Sequence, residues 1–415
     1  MTSTMDSVST DRLISSDRPI SSDIQFETIE DSAGFRALEA DWRGLCERAD
    51  GFGFFQRYDW LWRVWQRVAS VRGRSLCIVV GRSEGRVVLI WPLMRDRRQL
   101  RMLAADKVEY RDIIVERSPH ANTWMDVAWG RIKSLKNVDV FLFQDVRADS
   151  NLNQFLKHQC KKGWKYERKS LTIHLDRFAS WDAYAQSLPK RMMADQKRQW
   201  RRIMSNGTAV RFDVVSSSEE LRDGLDWMLR HKVDWLKATG INERAFTSDE
   251  YTDFVHDFAQ SALKSNHLLF AKLSVDGNIV AAGLGYKFGT EFVLHNFTYD
   301  AAWQNYSPGR LLLEKMVGWC FDNGVTLFDF MPDFMLEKVS YKTLWANGEF
   351  WVTDYLIPVT LRGSAMIAWH ASGLSALLKT KWVKVLYRYL PRRVRQRLYA
   401  ALLMYGEYAG QVKRL

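Results

Sequence analysis

Long apolar runs are missing from this 415-residue chain, and cysteine, proline and histidine are scarce. No stretch of about 18 apolar residues occurs, so no transmembrane helix is expected. The four cysteines, Cys46, Cys77, Cys160 and Cys320, lie far apart and make no Cys-x-x-Cys pair. That spacing argues against a disulfide framework and a zinc site, and fits reduced thiols in a cytoplasmic protein. The eight histidines include no His-Glu-x-x-His pattern, so no metal is expected. Only eight prolines leave little room for long structureless regions. The exception is residues 1–23, rich in Ser, Thr and Asp, which read as a disordered leader. This leader has no apolar segment of the kind that a secretory signal carries.

The chain is 47% hydrophobic and 13% aromatic, enough to fill large cores in two or three domains. Its formal charge of +12 is unevenly spread. From Ala371 onward ten basic residues face one acid, Glu407, so the tail holds +9 of the +12 and the body is near neutral. A nucleic-acid partner is therefore not expected. Residues 374–390 and 391–405 read as two basic amphipathic helices broken at Pro391. Cations interleaved with Trp, Tyr and Leu suit an anionic membrane surface, and equally a helical hairpin docked on the body.

Residues 24–30 read as a strand, and 34–48 and 58–69 as amphipathic helices. Residues 76–94 hold two β-branched runs joined by Ser83-Glu84-Gly85, a hairpin signal. A similar hairpin lies 192 residues later, at 268–286, with Gly277 for Gly85, Ile279 for Val87 and Val280 for Val88. Each hairpin follows a helical region and precedes a strand ending in acid, 138–145 and 326–330. Internal duplication is the economical reading. Between the halves, residues 188–204 form an amphipathic helix with Met192, Gln196, Trp200 and Ile203 on one face and six cations on the others.

The run Tyr306-Ser307-Pro308-Gly309 stops one segment and starts an apolar helix. Ser307 suits an N-cap and Pro308 the first turn, where its missing N–H costs nothing. Gly309 permits close approach to the backbone. Leu312, Leu313, Met316, Val317 and Cys320 recur behind it at helical spacing. Two readings stand at this point: an ordinary capped helix, or an anion site using the N–H groups of Gly309, Arg310 and Leu311.

In order, the second half offers His231-Lys232-Val233-Asp234-Trp235, the hairpin at Asp276-Gly277, a strand from Phe292 to Tyr299, Tyr306-Ser307-Pro308-Gly309, Phe328-Asp329-Phe330, and Tyr341-Lys342-Thr343-Leu344-Trp345. This series resembles the GNAT acyltransferases, in the double-GNAT branch that holds CelD-like and FemAB-like proteins. The resemblance covers about residues 25–358 and is strongest over 225–346. It implies an α/β (α+β) fold: two tandem GNAT-like domains, each a mixed, mostly antiparallel sheet flanked by helices. The expected divisions are the leader at 1–23, a degenerate domain at 24–170, an acyl-CoA-binding domain at 171–360 and the helical tail at 361–415. The resemblance further implies that the loop before the helix cradles the pyrophosphate of acetyl-CoA or another acyl-CoA. Gln304, Asn305, Tyr306, Ser307, Gly309 and Arg310 are the residues concerned. The pantetheine arm would lie where the strands 292–299 and 326–330 splay apart. The chain departs from the family in having one glycine in the loop and Met331-Pro332-Asp333 after Phe330, where glycine is frequent.

Acyl transfer needs a neutral nucleophile, an oxyanion donor and a proton for the thiolate. Strand alternation puts Val293, His295, Phe297 and Tyr299 on one face. His295 is the natural base, near neutrality in pKa, with Asp329 to orient it or hold a substrate ammonium. Tyr341 would protonate the thiolate, and Lys342 would bind an acidic acceptor. His231 and Asp234 neighbour each other on a helix, which with Trp235 suggests a substrate wall. No counterpart of Tyr-Ser-Pro-Gly is expected in the first half, which would serve as scaffold or acceptor wall. The expected activity is N- or O-acyl transfer, acetyl foremost, to a sugar, amino sugar or cell-envelope precursor, near the inner membrane if the tail docks there. The alternatives are aminoacyl transfer from charged tRNA, and a non-catalytic assembly subunit.

Overall fold

The computed structural model describes residues 24–49, 51, 53–103, 110–159, 163–239, 248–332 and 341–371. The expected leader, Cys160 and the basic tail at 374–405 lie outside them. The strands are β1 (Ile24–Ile29), β2 (Ser75–Leu76), β3 (Ile78–Ser83), β4 (Arg86–Trp91), β5 (Leu93–Asp96), β6 (Gln99–Met102), β7 (Ile114–Val115), β8 (Val140–Arg147) and β9 (Trp164–His174) in the first part of the chain. The second part supplies β10 (Val210–Val214), β11 (Leu268–Val275), β12 (Asn278–Phe288), β13 (Glu291–Tyr299), β14 (Leu327–Asp329) and β15 (Gly348–Pro358).

Both hairpins turn on two residues of positive φ, Glu84 and Gly85 at 51° and 76°, and Asp276 and Gly277 at 49° and 83°. Such turns match the right-handed twist of the flanking strands. Each hairpin also carries a bulge at the corresponding place. The register skips Val88 in the first and Val280 in the second, the same distance from the turn. Around them the plan repeats: β1-β3-β4-β7 in one sheet, β10-β11-β12-β13 in the other. The duplication read from the sequence is thus repeated in topology and in local irregularity.

The halves exchange strands. β9, which follows the first half in sequence, pairs antiparallel with β14 of the second and with β15. β15 in turn pairs with β8 of the first half. The result is one 11-stranded sheet, β10-β11-β12-β13-β14-β9-β15-β8-β6-β5-β2, beside the four-stranded one. The sequence division after residue 170 runs through β9.

Three apolar clusters hold the layers. One packs the helices Ala121–Lys133 and Asn151–Gln159 on the first half. Another packs the helices Lys190–Ile203 and Pro308–Asp322 on the second. The third lies between the halves, where the helices around Trp42 and Trp60 meet those around Leu225 and Phe258. Trp60 is fully buried there, with ring centroids 5.1 Å from Phe254 and 4.4 Å from Phe258. Ion pairs join the same surfaces: Arg63 to Asp257 at 3.5 Å and Arg147 to Glu291 at 3.0 Å.

Candidate active site

β13 and β14 run parallel and pair over Glu291–Val293 and Leu327–Asp329. β14 ends at Asp329, while β13 continues to Tyr299 against β12 alone. The two strands therefore part beyond the Val293–Asp329 pair, and the connection between them is the helix Pro308–Asp322. A helix N-terminus facing such a wedge is suited to an anion.

Ser307 stands at the N-cap position, but with φ 52° and ψ 46° and no side-chain cap bond. The expected capping by its hydroxyl is thus corrected: a left-handed residue points its side chain away from the first turn. Its carbonyl instead accepts from Arg310 N at 3.0 Å and Leu311 N at 3.3 Å. Those two N–H groups, expected to be available, are engaged, and among the described residues only the Gly309 N–H has no backbone partner in this turn. Gly309 serves packing, since a Cβ there would lie 3.2 Å from Phe297 Cε1 and 3.5 Å from Tyr299 Cδ1. Gln304 and Asn305 are exposed on the short helical turn Ala301–Tyr306, which Asp300 caps through Ala302 N at 2.9 Å.

The helix Lys190–Ile203 braces this loop. Gln196 Nε2 donates to Arg310 O at 2.8 Å, and Arg202 Nη1 donates to Asn305 O at 3.1 Å with its guanidinium 5.0 Å from the Tyr306 ring. Arg310 itself is bound by Asp195 at 2.7 Å, so its guanidinium does not stand free over the loop. Met192, Gln196, Gln199 and Ile203 are the buried face; Trp200 is half-buried and donates to Glu314 at 2.8 Å.

The expected common face of Val293, His295, Phe297 and Tyr299 is broken by a bulge. The β12–β13 register passes from Leu284–Asn296 to Gly285–Leu294 and skips His295. An extra residue reverses the alternation beyond it. Val293 accordingly packs between the halves, whereas Phe297 and Tyr299 pack against the helix Pro308–Asp322. His295 turns toward the first half, with ring centroids 6.4 Å from Phe55, 5.7 Å from Trp60 and 5.4 Å from Tyr286.

Asp329 is buried, 1% exposed, on the same side as Val293. Its Oδ1 accepts from Ser170 Oγ at 2.7 Å and from Met331 N at 2.8 Å. Burial raises its carboxyl above the usual range, and the Arg147 charge and the Tyr110 and Ser170 hydroxyls draw it back. Met331, which follows Phe330, takes a left-handed φ of 58°. Lys342 Nζ donates to Phe330 O at 3.3 Å, next to Asp329. Tyr341 is half-buried at the start of the helix Tyr341–Trp345 and packs on the second-half core.

His231 and Asp234 do not pair with each other. The His231 ring lies 4.1 Å from Trp227, and Asp234 meets Lys237 at 3.7 Å. Trp235 carries the Lys232 ammonium 4.8 Å from its ring. Among the described residues no group of three His, Cys, Asp or Glu side chains is placed to hold a metal, and no helix is long and apolar enough to cross a membrane.

Sequence reasoning missed the residues that the first half brings to Asp329. Tyr110 donates to Ser170 Oγ at 3.1 Å, and Gln56 Nε2 fixes the Tyr110 carbonyl at 2.6 Å. Arg147 lies 5.3 Å over the Tyr110 ring and pairs with Asp149 at 2.8 Å. Gln56, Tyr110, Arg147 and Asp149 line a cavity of about 130 Å³ between the halves, with Asp112 and Glu291 also in its wall. Burial pushes Asp112 up to about 7, although it accepts from the N–H groups of Ile113, Asn151 and Leu152. No linear motif marks Tyr110 or Ser170, because only the strand exchange brings them to Asp329.

The parallel wedge and the uncapped helix are features of a GNAT-like fold. Residues 190–343 match the family model of the acetyltransferase (GNAT) domain. Among solved structures, one of FemX is similar over 80% of this chain and 97% of that one, at 12% identity and a TM-score of 0.51. A tandem GNAT protein from the clavulanic acid biosynthesis pathway is similar over 81% and 99%, at 12% identity and 0.48. The L-PGS of Bacillus licheniformis is similar over 79% and 94%, at 14% and 0.47. No curated protein matches the chain. The likeness to FemX extends over both halves and concerns the fold.

Proposed function

We propose that this protein is an acyl-CoA-dependent N- or O-acyltransferase, with acetyl as the acyl group. The acceptor is an amine or hydroxyl of a sugar, amino sugar or cell-envelope polysaccharide precursor. The observation that carries the reading is the parallel β13–β14 wedge joined through a helix whose start no side chain fills, inside the GNAT-matching segment. The backbone from Gln304 to Gly309 would hold the pyrophosphate, and the wedge beyond Val293 and Asp329 the pantetheine arm. The cavity between the halves, with Gln56, Tyr110, Arg147 and Asp149 in its wall, would receive the acceptor. The basic tail would hold the enzyme at the inner face of a membrane where such precursors are made.

Calorimetric titration of the full chain with acetyl-CoA and with CoA tests this, beside Asn305→Glu. Asn305 is exposed on the loop, so the variant adds a negative charge without disturbing packing. A charge at Gly309 would be a poorer probe, because it would also strike Phe297. Micromolar binding by the wild type, lost in the variant, is expected. A folded wild type that binds neither ligand defeats the reading and turns attention to charged tRNA, for which the exposed cations of the helix Lys190–Ile203 are the feature to test.

A further inference from the structure

We infer that Tyr110, Ser170 and Asp329 form a proton relay from the acceptor to the wedge, and that the cavity between the halves is the acceptor's way in. The inference rests on the acyl-transfer reading above. Its basis is the direction of the hydrogen bonds. An ionised Asp329 only accepts, so the Ser170 hydroxyl must donate to it. With that proton committed, Ser170 Oγ accepts from Tyr110. The Tyr110 oxygen then has its own lone pairs left, and Tyr110 lies in the cavity wall. At the other end, Asp329 takes the Ser170 hydrogen bond on Oδ1, the oxygen to which the proton passes, and its buried Oδ2 accepts no hydrogen bond among the described residues. Asp329 is also the last residue of β14 before the strands part. One end of the chain thus touches the acceptor cavity and the other the place of the thioester.

The step balances. The acceptor nitrogen or oxygen bonds to the thioester carbonyl carbon, and the C–S bond breaks with its electron pair on sulfur. The acceptor's proton passes to Tyr110 Oη, the Tyr110 proton to Ser170 Oγ, and the Ser170 proton to Asp329. Asp329 then yields it to the thiolate, which leaves as CoA thiol. Tyr110 touches the acceptor; Ser170 is a positioning residue. Each comes from a different part of the fold: Tyr110 from the first half, Ser170 from the exchanged strand and Asp329 from the second half. The first half, on this account, contributes to the chemistry as well as to the scaffold.

The test is thiol release from acetyl-CoA by the full chain, with water and then glucosamine as acceptor, from pH 5 to 9. The wild type should show a rate that rises with pH across this range. Asp329→Asn, Tyr110→Phe and Ser170→Ala should each fall by about 10²–10⁴-fold in kcat and lose that rise, while calorimetric affinity for acetyl-CoA stays unchanged. Ser170→Thr, which keeps the hydroxyl, should recover most of the rate; it and Tyr110→Phe are conservative enough to fold. Wild-type rate and pH profile in Tyr110→Phe and Ser170→Ala overturn the relay. So does a wild type that binds acetyl-CoA but releases no thiol above the uncatalysed rate. Failure to bind acetyl-CoA at all is the separate result that defeats the acyl-transfer reading itself.

Discussion

An alanine at position 285 would set its Cβ 2.1 Å from Phe292 Cζ, 2.6 Å from Phe292 Cε2 and 2.7 Å from the Val293 carbonyl oxygen. Gly285 faces Leu294 across the step where the β12–β13 ladder skips His295. The Phe292 ring could swing aside, but the Val293 carbonyl is backbone and moves only with the strand. Gly285→Ala must therefore push β13 away from β12, and β13 is one wall of the wedge. Forced methyl groups in packed cores cost about 1–3 kcal/mol. The upper end of that range is expected here, because one of the two obstacles is main chain. Urea unfolding of the wild type and the variant would read this as a lowered midpoint. Calorimetry should show weaker acetyl-CoA binding in the same variant, as the wedge is displaced. Phe292→Leu in the Gly285→Ala background clears the ring and leaves the carbonyl, so it should recover only part of the loss. Unchanged midpoint and affinity in Gly285→Ala, or full recovery by Phe292→Leu, would refute the assignment of strand position as the cause.

Other outcomes follow from the same contacts. Trp60→Ala should lower stability by about 3–5 kcal/mol in urea unfolding, since the ring is buried between the halves. Asp195→Asn removes the acid beside Arg310, so acetyl-CoA should bind about two- to fivefold more tightly at low salt and lose that gain in 0.5 M salt. Arg57 Nη1 lies 2.5 Å from His267 Nε2, and His267 Nδ1 lies 2.9 Å from the Lys287 carbonyl. Because arginine only donates, the ring must be neutral, with its proton on Nδ1. Burial, and then the Arg57 charge, hold its pKa below the usual imidazole value. A depressed pKa means stability that is present above about pH 6.5 and is lost as pH falls through the folded value. His267→Gln should flatten that acid limb in urea midpoints measured between pH 5 and 8. Asp112 has the opposite sign: its pKa is raised to about 7, so its contribution is full below the ordinary carboxylate value and lost as pH rises toward 7. Asp112→Asn should flatten that slope.

The local grammar of the chain was legible wherever a short run decides its own conformation. Glu84-Gly85 and Asp276-Gly277 can hardly be anything but tight turns, and both are. Pro308 marks the first residue of its helix, as its ring geometry requires. Sequence reading failed where distant chain decides. The bulge at His295 depends on Gly285 and Phe292 fitting together across two strands, and it cancels the simple alternation that grouped His295 with Phe297 and Tyr299. Asp329 was readable as a strand-end acid, whereas Ser170 and Tyr110 were not readable as its partners. They come 159 and 219 residues away in sequence and share no motif with it. Arg310 was named as a residue of the loop, and its partner Asp195 was not legible because it lies on another helix.

The first half shows what the second has kept. Just before the helix Ala121–Lys133 stand Ser118, Pro119 and His120, a Ser-Pro pair like Ser307-Pro308 but with the serine two residues ahead of the N-cap. There the Ser118 hydroxyl accepts from His120 N at 3.1 Å, and the first helical turn has no side-chain cap. In the second half Ser307 is itself the N-cap residue, left-handed, and it too caps nothing. Asp145, near the end of β8, and Met331, just past β14, both take positive φ. Asp145, however, is locked by Arg111 at 2.6 Å and by Arg168, which also holds Asp354 at 3.0 Å. An ion cluster thus occupies the end of β8, whereas at the end of β14 Asp329 keeps an oxygen that accepts no hydrogen bond among the described residues. The halves share a plan of strands, but the first has filled its strand end with charge pairs. Because β9 pairs with β14, the first half remains indispensable to the second. Without it β14 loses its antiparallel partner, and Asp329 loses Ser170 and Tyr110 together.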